Sequence, residues 1–208
     1  MGRFKFQIIM GSLLGLAFIA IMVLFLEVSK RDSSDGIVSG QVITTGQATI
    51  GGPFDLISHY GASVTDADFR GRHMLIFFGY SFCPDVCPLE LQRMALVLDI
   101  LDEARFDMER IQPLFISIDP ERDSPEILSK YVPLFHPLLI GLTGSGEQIV
   151  EVATNYKVYY RRASDDLDYL MDHSSIVYFM GTEGEYLAHF TSFDSPEDMA
   201  RRIQTLLE

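Results

Sequence analysis

The sequence predicts an α/β domain behind an N-terminal membrane-spanning helix, and three observations carry that reading. Residues 8–26 form an uncharged, almost wholly apolar run. Further on, two continuous apolar runs, Met74–Tyr80 and Leu114–Ile118, alternate with helix-spaced apolar residues, the pattern of buried strands joined by helical crossovers. Cys83 and Cys87, the chain's only cysteines, stand between the first run and the helical pattern that follows it.

The run from Ile8 to Leu26 meets the length of about 20 residues that a helix needs to cross a bilayer. Arg3 and Lys5 precede it as a cytoplasmic flank would, but Lys30 and Arg31 follow it, so charge barely orients it. A cleavable signal peptide would have an apolar core of about 7–15 residues ending at a small-x-small site. This run is longer, and Leu26-Glu27-Val28-Ser29 supplies no such site, which favours a retained single span within residues 1–27. Residues 28–48, rich in Ser, Gly, Thr, Asp and Gln, read as a flexible tether. Residues 49–208 remain for one well-buried domain.

Within that domain, Phe54–Ser58 is a short strand candidate, and Val64–Phe69 a turn or brief helix. Met74–Tyr80 is a central strand covered on both faces. Leu89, Leu91, Met94, Ala95, Leu98 and Leu101 recur at helical spacing, so a helix is expected over 88–104 with Pro88 in its first turn. Leu114–Ile118 is a second buried strand, ending at Asp119-Pro120. Ser124-Pro125-Glu126 caps and opens another helix. Leu138–Ile140 is a short strand candidate, and Ser145 with Gln148 forms a capping box for a helix to about Asn155. Gly141–Gly146 lacks the Lys-Ser/Thr of a phosphate loop and reads as the lead-in to that helix. Ser174–Met180 and Glu185–Phe190, flanking Gly181-Thr182-Glu183-Gly184, signal a β-hairpin. Ser195-Pro196-Glu197 opens a C-terminal helix. Right-handed crossovers place the two long strands parallel and adjacent, with helices on both faces. This is a thioredoxin-like arrangement, with the cysteines at the strand edge where sites in open α/β sheets collect.

Sixteen Lys and Arg stand against 29 Asp and Glu, a net charge of −13. Nucleic acid is therefore excluded as a partner, since phosphate contacts need clustered cations. Two cysteines are too few for a disulfide scaffold or a four-ligand zinc site. A strand delivers them to a helix N-terminus, which favours the thiolate. Residues four apart on a helical turn place their Cα atoms about 6 Å apart, within disulfide range. The pair thus suits redox exchange or a soft metal better than core filling.

Two thiolates need a third donor for a trigonal soft-metal site, and imidazole is the common choice. Of five histidines, four have plain readings: His59 ends a strand, His73 opens the central strand far from its cysteine end, His136 precedes a proline in a loop, and His189 lies in the outer hairpin strand. His173 stands just before the hairpin, where an intervening loop could fold over the cysteine mouth. Asp172 beside it could orient the ring, although an exposed loop carboxylate explains it equally well. Asp119 sits on the same edge as the cysteines, where it could bond the site or simply form an Asp-Pro turn.

The stretches Cys83-Pro84-Asp85-Val86-Cys87-Pro88, Ile118-Asp119-Pro120-Glu121-Arg122-Asp123 and Asp172-His173-Ser174-Ser175 resemble the Sco/SenC family of copper-binding proteins. So do the Gly184-Glu185-Tyr186 turn and the N-terminal anchor, and the resemblance runs in order from about Gly52 onward. It implies a thioredoxin-like domain that binds one copper ion through Cys83, Cys87 and His173. It also implies help in assembling the dinuclear copper centre of cytochrome c oxidase, either as a copper carrier or as a thiol reductant of the copper-receiving subunit. The partners implied are that subunit and a copper donor or thiol reductant. The domain would lie on the extracytoplasmic side, in a bacterial periplasm or a mitochondrial intermembrane space. The absence of Trp argues against an ordinary thioredoxin.

Thiolate softness favours Cu(I), and the nitrogen donor makes Cu(II) tolerable. Oxidation of the pair to a disulfide would remove both soft ligands together. Because one ligand is remote in sequence, the apo protein is expected to be looser around His173 than the loaded one. The rival reading is a thiol–disulfide oxidoreductase in which Cys83 or Cys87 attacks a partner disulfide and His173 is incidental. A peroxide-reducing enzyme would need a substrate pocket that the sequence does not identify. A purely structural module would leave the cysteine pair unexplained.

Overall fold

The computed structural model describes residues 50–207 apart from residue 167. The expected anchor and tether lie outside the described residues, among which no helix is long and apolar enough to cross a membrane. In chain order the elements are β1 (Asp55–Ser58), β2 (Ser63–Thr65), β3 (His73–Gly79), α1 (Val86–Glu103), β4 (Ile111–Ser117), α2 (Pro125–Tyr131) and β5 (Ile140–Thr143). There follow α3 (Gly146–Asn155), β6 (Tyr160–Arg162), β7 (Met171–His173), β8 (Ile176–Met180), β9 (Tyr186–Thr191) and α4 (Pro196–Leu207).

A seven-stranded sheet runs β2-β1-β5-β4-β3-β8-β9, while β6 and β7 form a separate two-stranded ribbon. Every residue of β3 and β4 is buried, as their uninterrupted apolarity requires. They pair in parallel, as the crossover rule anticipates, and β4 pairs in parallel with β5. The β8–β9 hairpin joins β3 antiparallel, and Gly184 takes the positive φ of 79° that its turn demands.

Register shows which helix covers which face. Phe77, Phe115 and Gly141 lie side by side across three strands, so their side chains share one face, with Gly79 on it two residues along. A Cβ at Gly79 would meet Cys87 Sγ at 2.9 Å, and one at Gly141 would meet Val132 at 2.8 Å and Leu128 at 3.3 Å. The α1 and α2 segments therefore cover the same face, and α4 packs against α1. On the opposite face Phe78 and Tyr178 pack against Tyr156, which ends α3. Helices thus flank both sides, giving the expected mixed α/β architecture.

Several boundaries depart from the sequence reading, each for a local reason. β4 begins at Ile111 and runs through Pro113. β5 pairs with β4 only from Leu114 onward, so at Pro113 β4 is still an edge on one side, where a residue without an N–H is tolerated. β5 starts at Ile140 and includes Gly141–Thr143, because glycine lets α2 lie directly on the strand. Val64 and Thr65 belong to β2, and only 66–69 form the expected turn. α1 starts two residues early, which puts Cys87 inside its first turn. The intervening segment before the hairpin is the β6–β7 ribbon, with Tyr160 opposite His173. Its strands are only three residues long, too short to show a period in sequence.

Gly79 is the tightest constraint near the cysteines. Gly79→Ala should lower the unfolding free energy by about 1–3 kcal/mol, the usual cost of overpacking a filled core. Urea denaturation followed by circular dichroism measures it. An unchanged midpoint would show that Cys87 can yield freely.

Candidate metal centre

The turn from β3 into α1 carries both cysteines, and buried hydrogen bonds pin it. The fully buried Asp123 carboxylate accepts from the Ser81 N–H at 2.9 Å, from the Ser81 hydroxyl, and from the Ser117 hydroxyl at 2.6 Å. Burial pushes the Asp123 carboxyl up, and those three donors oppose the shift. Asp85 occupies the position before α1, but its side chain makes no capping bond. Instead Cys83 Sγ accepts from the Cys87 N–H at 3.4 Å, so a sulfur takes one of the free donors of the helix end.

The ribbon delivers the imidazole. His173, the last residue of β7, places Nε2 3.4 Å from Cys87 Sγ. Its Nδ1 lies 3.0 Å from the Ser174 carbonyl, which can only accept. Nδ1 therefore carries a proton, and Nε2 is the nitrogen that faces the sulfurs. Phe77 and Tyr80 meet the ring edge-on, with centroids 6.1 and 5.9 Å away. The Tyr80 hydroxyl also accepts from the Met171 N–H at 3.1 Å. The two Sγ atoms and a ring nitrogen of His173 all lie within 4.8 Å of one another. One ion making bonds of about 2.0–2.3 Å reaches all three with small side-chain adjustments. Two soft sulfurs and a borderline nitrogen suit copper better than a hard cation.

The two thiols are not equivalent. Cys87 is fully buried and Cys83 half-buried. Cys83 is pulled far below the ordinary thiol range, chiefly because Cys87 hydrogen-bonds to it, with His173 and two backbone N–H groups adding to this against burial. Cys87 is pushed up, first by holding its proton toward Cys83 and then by burial. The sequence reading of a thiol favoured as thiolate at a helix mouth therefore applies to Cys83 alone.

The remaining candidates fall elsewhere. Asp172 turns away from the ring and pairs with Arg161 at 2.8 Å on the exposed face of the ribbon, so the Ser174 carbonyl orients His173 instead. Asp119 is buried and binds the Tyr169 hydroxyl at 2.6 Å and Arg122 Nε at 2.5 Å. It thus secures the loops around the site and stays out of the donor cluster. His59 accepts from the Gly141 N–H and His73 bonds the Arg110 carbonyl. His136 accepts from the Leu138 N–H and His189 bonds Tyr186.

Sequence reasoning gave no role to Tyr80, Ser81, Tyr169 or Glu90, and it named Arg122 and Asp123 only within the Ile118–Asp123 stretch of the family resemblance. Asp123 and Arg122 stood in a charged loop at the cysteine edge, the one local sign of their role. Tyr169 lies 47 positions from Arg122, and nothing local links them. Glu90 is buried one turn after Cys87, paired with Arg93. Burial pushes its carboxyl up against the pull of Arg93.

A family model described as SCO1/SenC matches residues 43–208. The human mitochondrial SCO1 homolog is 40% identical over 178 residues, covering 85% of this chain and 59% of its own length. A SCO2-like protein of Rickettsia felis is 40% identical over 185 residues, covering 87% of this chain and 88% of its own. The crystal structure of Arabidopsis thaliana ScoI, solved with copper bound, superposes with a TM-score of 0.71 at 38% identity, covering 76% of this chain and 98% of that one. The chain belongs to the SCO1/SenC family. It spans about three fifths of the length of the human relative.

The thiol asymmetry has a direct readout. Alkylation of the reduced protein by iodoacetamide, mapped by mass spectrometry, should modify Cys83 first, at a rate nearly flat from pH 5 to 7 as an order-of-magnitude window. A rate rising about tenfold per pH unit across that window, as for a thiol of pKa about 8.5, would contradict the assignment.

Proposed function

We propose that this protein is a membrane-anchored copper carrier that holds one copper ion between Cys83, Cys87 and His173 and serves assembly of the dinuclear copper centre of cytochrome c oxidase. One observation carries the reading: an imidazole 86 positions away in sequence points its free nitrogen at Cys87 Sγ from 3.4 Å. A dithiol reductant has no need of that nitrogen, whereas a thiolate–imidazole copper site does. Family membership and the copper-bound Arabidopsis relative support the same choice of metal. Residues 1–27 would anchor the protein, 28–48 tether it, and 49–208 present the site on the extracytoplasmic side.

The donor set states what the protein's own groups do. Cys83 enters as a thiolate, and loading displaces the proton held on Cys87. His173 would ligate through Nε2, because Ser174 holds its Nδ1 proton. Half-exposed Cys83 lies at the open edge, where a donor or a receiving subunit would exchange ligands.

A second reading rests on the same asymmetry. Half-exposed Cys83 is a thiolate able to attack a partner disulfide, releasing one partner thiolate. Cys87 would then attack the mixed disulfide, its proton passing to the departing partner sulfur, and close the Cys83–Cys87 bond. In that role His173 would be dispensable.

Anaerobic copper titration with absorption spectroscopy separates the two. Wild type should bind one equivalent with a thiolate-to-Cu(II) band, and His173→Ala should lose that band while keeping dithiol exchange. Binding indifferent to His173→Ala would overturn the three-ligand site. Loading should also slow amide hydrogen exchange around His173 at the end of β7, since ligation adds a restraint there to those the ribbon already has. Equal exchange with and without copper would show that the ribbon is already rigid.

A further inference from the structure

We propose that Arg122 is a positioning residue for the imidazole arm, and so decides how well the site holds Cu(II) relative to Cu(I); the inference rests on the copper reading above. The Arg122 side chain is only 17% exposed and touches both halves of the site. Its Nε donates to Asp119 Oδ2 at 2.5 Å, and its Nη1 donates to the Tyr169 carbonyl at 2.9 Å. Its guanidinium lies 3.6 Å from the centroid of the Tyr169 ring and 4.9 Å from that of Phe82, the neighbour of Cys83. Tyr169 closes the set by donating its hydroxyl to Asp119 Oδ1 at 2.6 Å.

Tyr169 precedes β7, which ends at His173. Arg122 and Asp119 therefore grip the base of a short, stiff strand whose tip is the imidazole. A shift at the base is carried to the tip, because a strand transmits displacement along an extended backbone. The thiols have independent support: Asp123 pins Ser81, and Cys87 is built into α1. Removing Arg122 also takes away its contacts with Phe82 and Tyr80, but the thiol arm keeps these other supports, so the loosening falls chiefly on the imidazole arm. Two thiolates satisfy Cu(I), whereas Cu(II) depends on the nitrogen donor. The loss falls on Cu(II). Lysine is no substitute, since it lacks the planar fork that bonds and stacks on Tyr169 at once.

The test uses the full chain purified in detergent, as wild type, Arg122→Gln, Arg122→Lys, His173→Ala and the Arg122→Gln/His173→Ala double variant. Anaerobic competition titrations give Cu(I) affinity, and the thiolate-to-Cu(II) band gives Cu(II) affinity. Arg122→Gln and Arg122→Lys should each lower Cu(II) affinity by about 10–100-fold, the usual cost of losing a group that orients a ligand, with Cu(I) affinity unchanged. In the His173→Ala background Arg122→Gln should cost nothing further. Wild-type Cu(II) affinity in both Arg122 variants overturns the proposal, as does a proportional loss of Cu(I), or a loss that adds to that of His173→Ala. Should Arg122→Gln fail to fold, Arg122→Lys, which keeps the charge and a donor for Asp119, carries the same comparison. A wild type without the band, or a band indifferent to His173→Ala, would sink the copper reading instead, so the two failures are distinguishable.

Discussion

The contact between Cys87 Sγ and His173 Nε2 brings together residues 86 positions apart, and the architecture around the site follows from keeping it. Closing so long a loop costs entropy, but only slowly with length. The larger difficulty is angular, because a ring nitrogen must face two sulfurs within a few ångströms. Three devices meet that demand. A backbone carbonyl fixes which nitrogen carries the proton. Phe77 and Tyr80 hold the ring edge-on. Arg122 and Asp119 hold the strand that bears it. None of these groups needs to touch an ion to govern what the site accepts.

The second organising fact is the inequality of the thiols. Cys87 lies inside the first turn of α1 and against Gly79, where only a residue without a Cβ leaves room for its sulfur. Cys83 lies outside the helix and takes its charge from hydrogen bonds, the one from Cys87 foremost. A buried thiol that keeps its proton and a half-exposed one that has lost it suit two kinds of chemistry. Ligand exchange starts at the exposed thiolate, and so does attack on a disulfide. The imidazole separates the two readings, since only copper carriage uses it.

Much of this was open to reading in the chain itself. The strands at 74–80 and 114–118, the helix after Pro88, the hairpin around Gly181–Gly184 and the capped helices after Ser124 and Ser145 all rest on local pattern. Local pattern survives folding because it reflects burial and capping within a few residues. The cysteine pair was legible for the same reason, sitting between an apolar run and a helix start. Asp172 was weighed as the group that orients His173, and it turns outward because alternate residues of a strand face opposite ways. That could be foreseen only once the segment was known to be a strand.

Sequence alone determined the α/β class, the parallel pairing of the two long strands and the thiol pair at a helix mouth, and it set His173 apart from the other four histidines as the candidate third donor. The tertiary structure decided which sulfur is charged, which carbonyl orients the imidazole, and that Arg122, Asp119, Tyr169 and Asp123 support the site. The division has a physical cause. Strand, helix and turn signals depend on neighbours along the chain, whereas hydrogen bonds spanning 42 and 47 positions exist only after the sheet edge has gathered its loops. Burial then sets their strength.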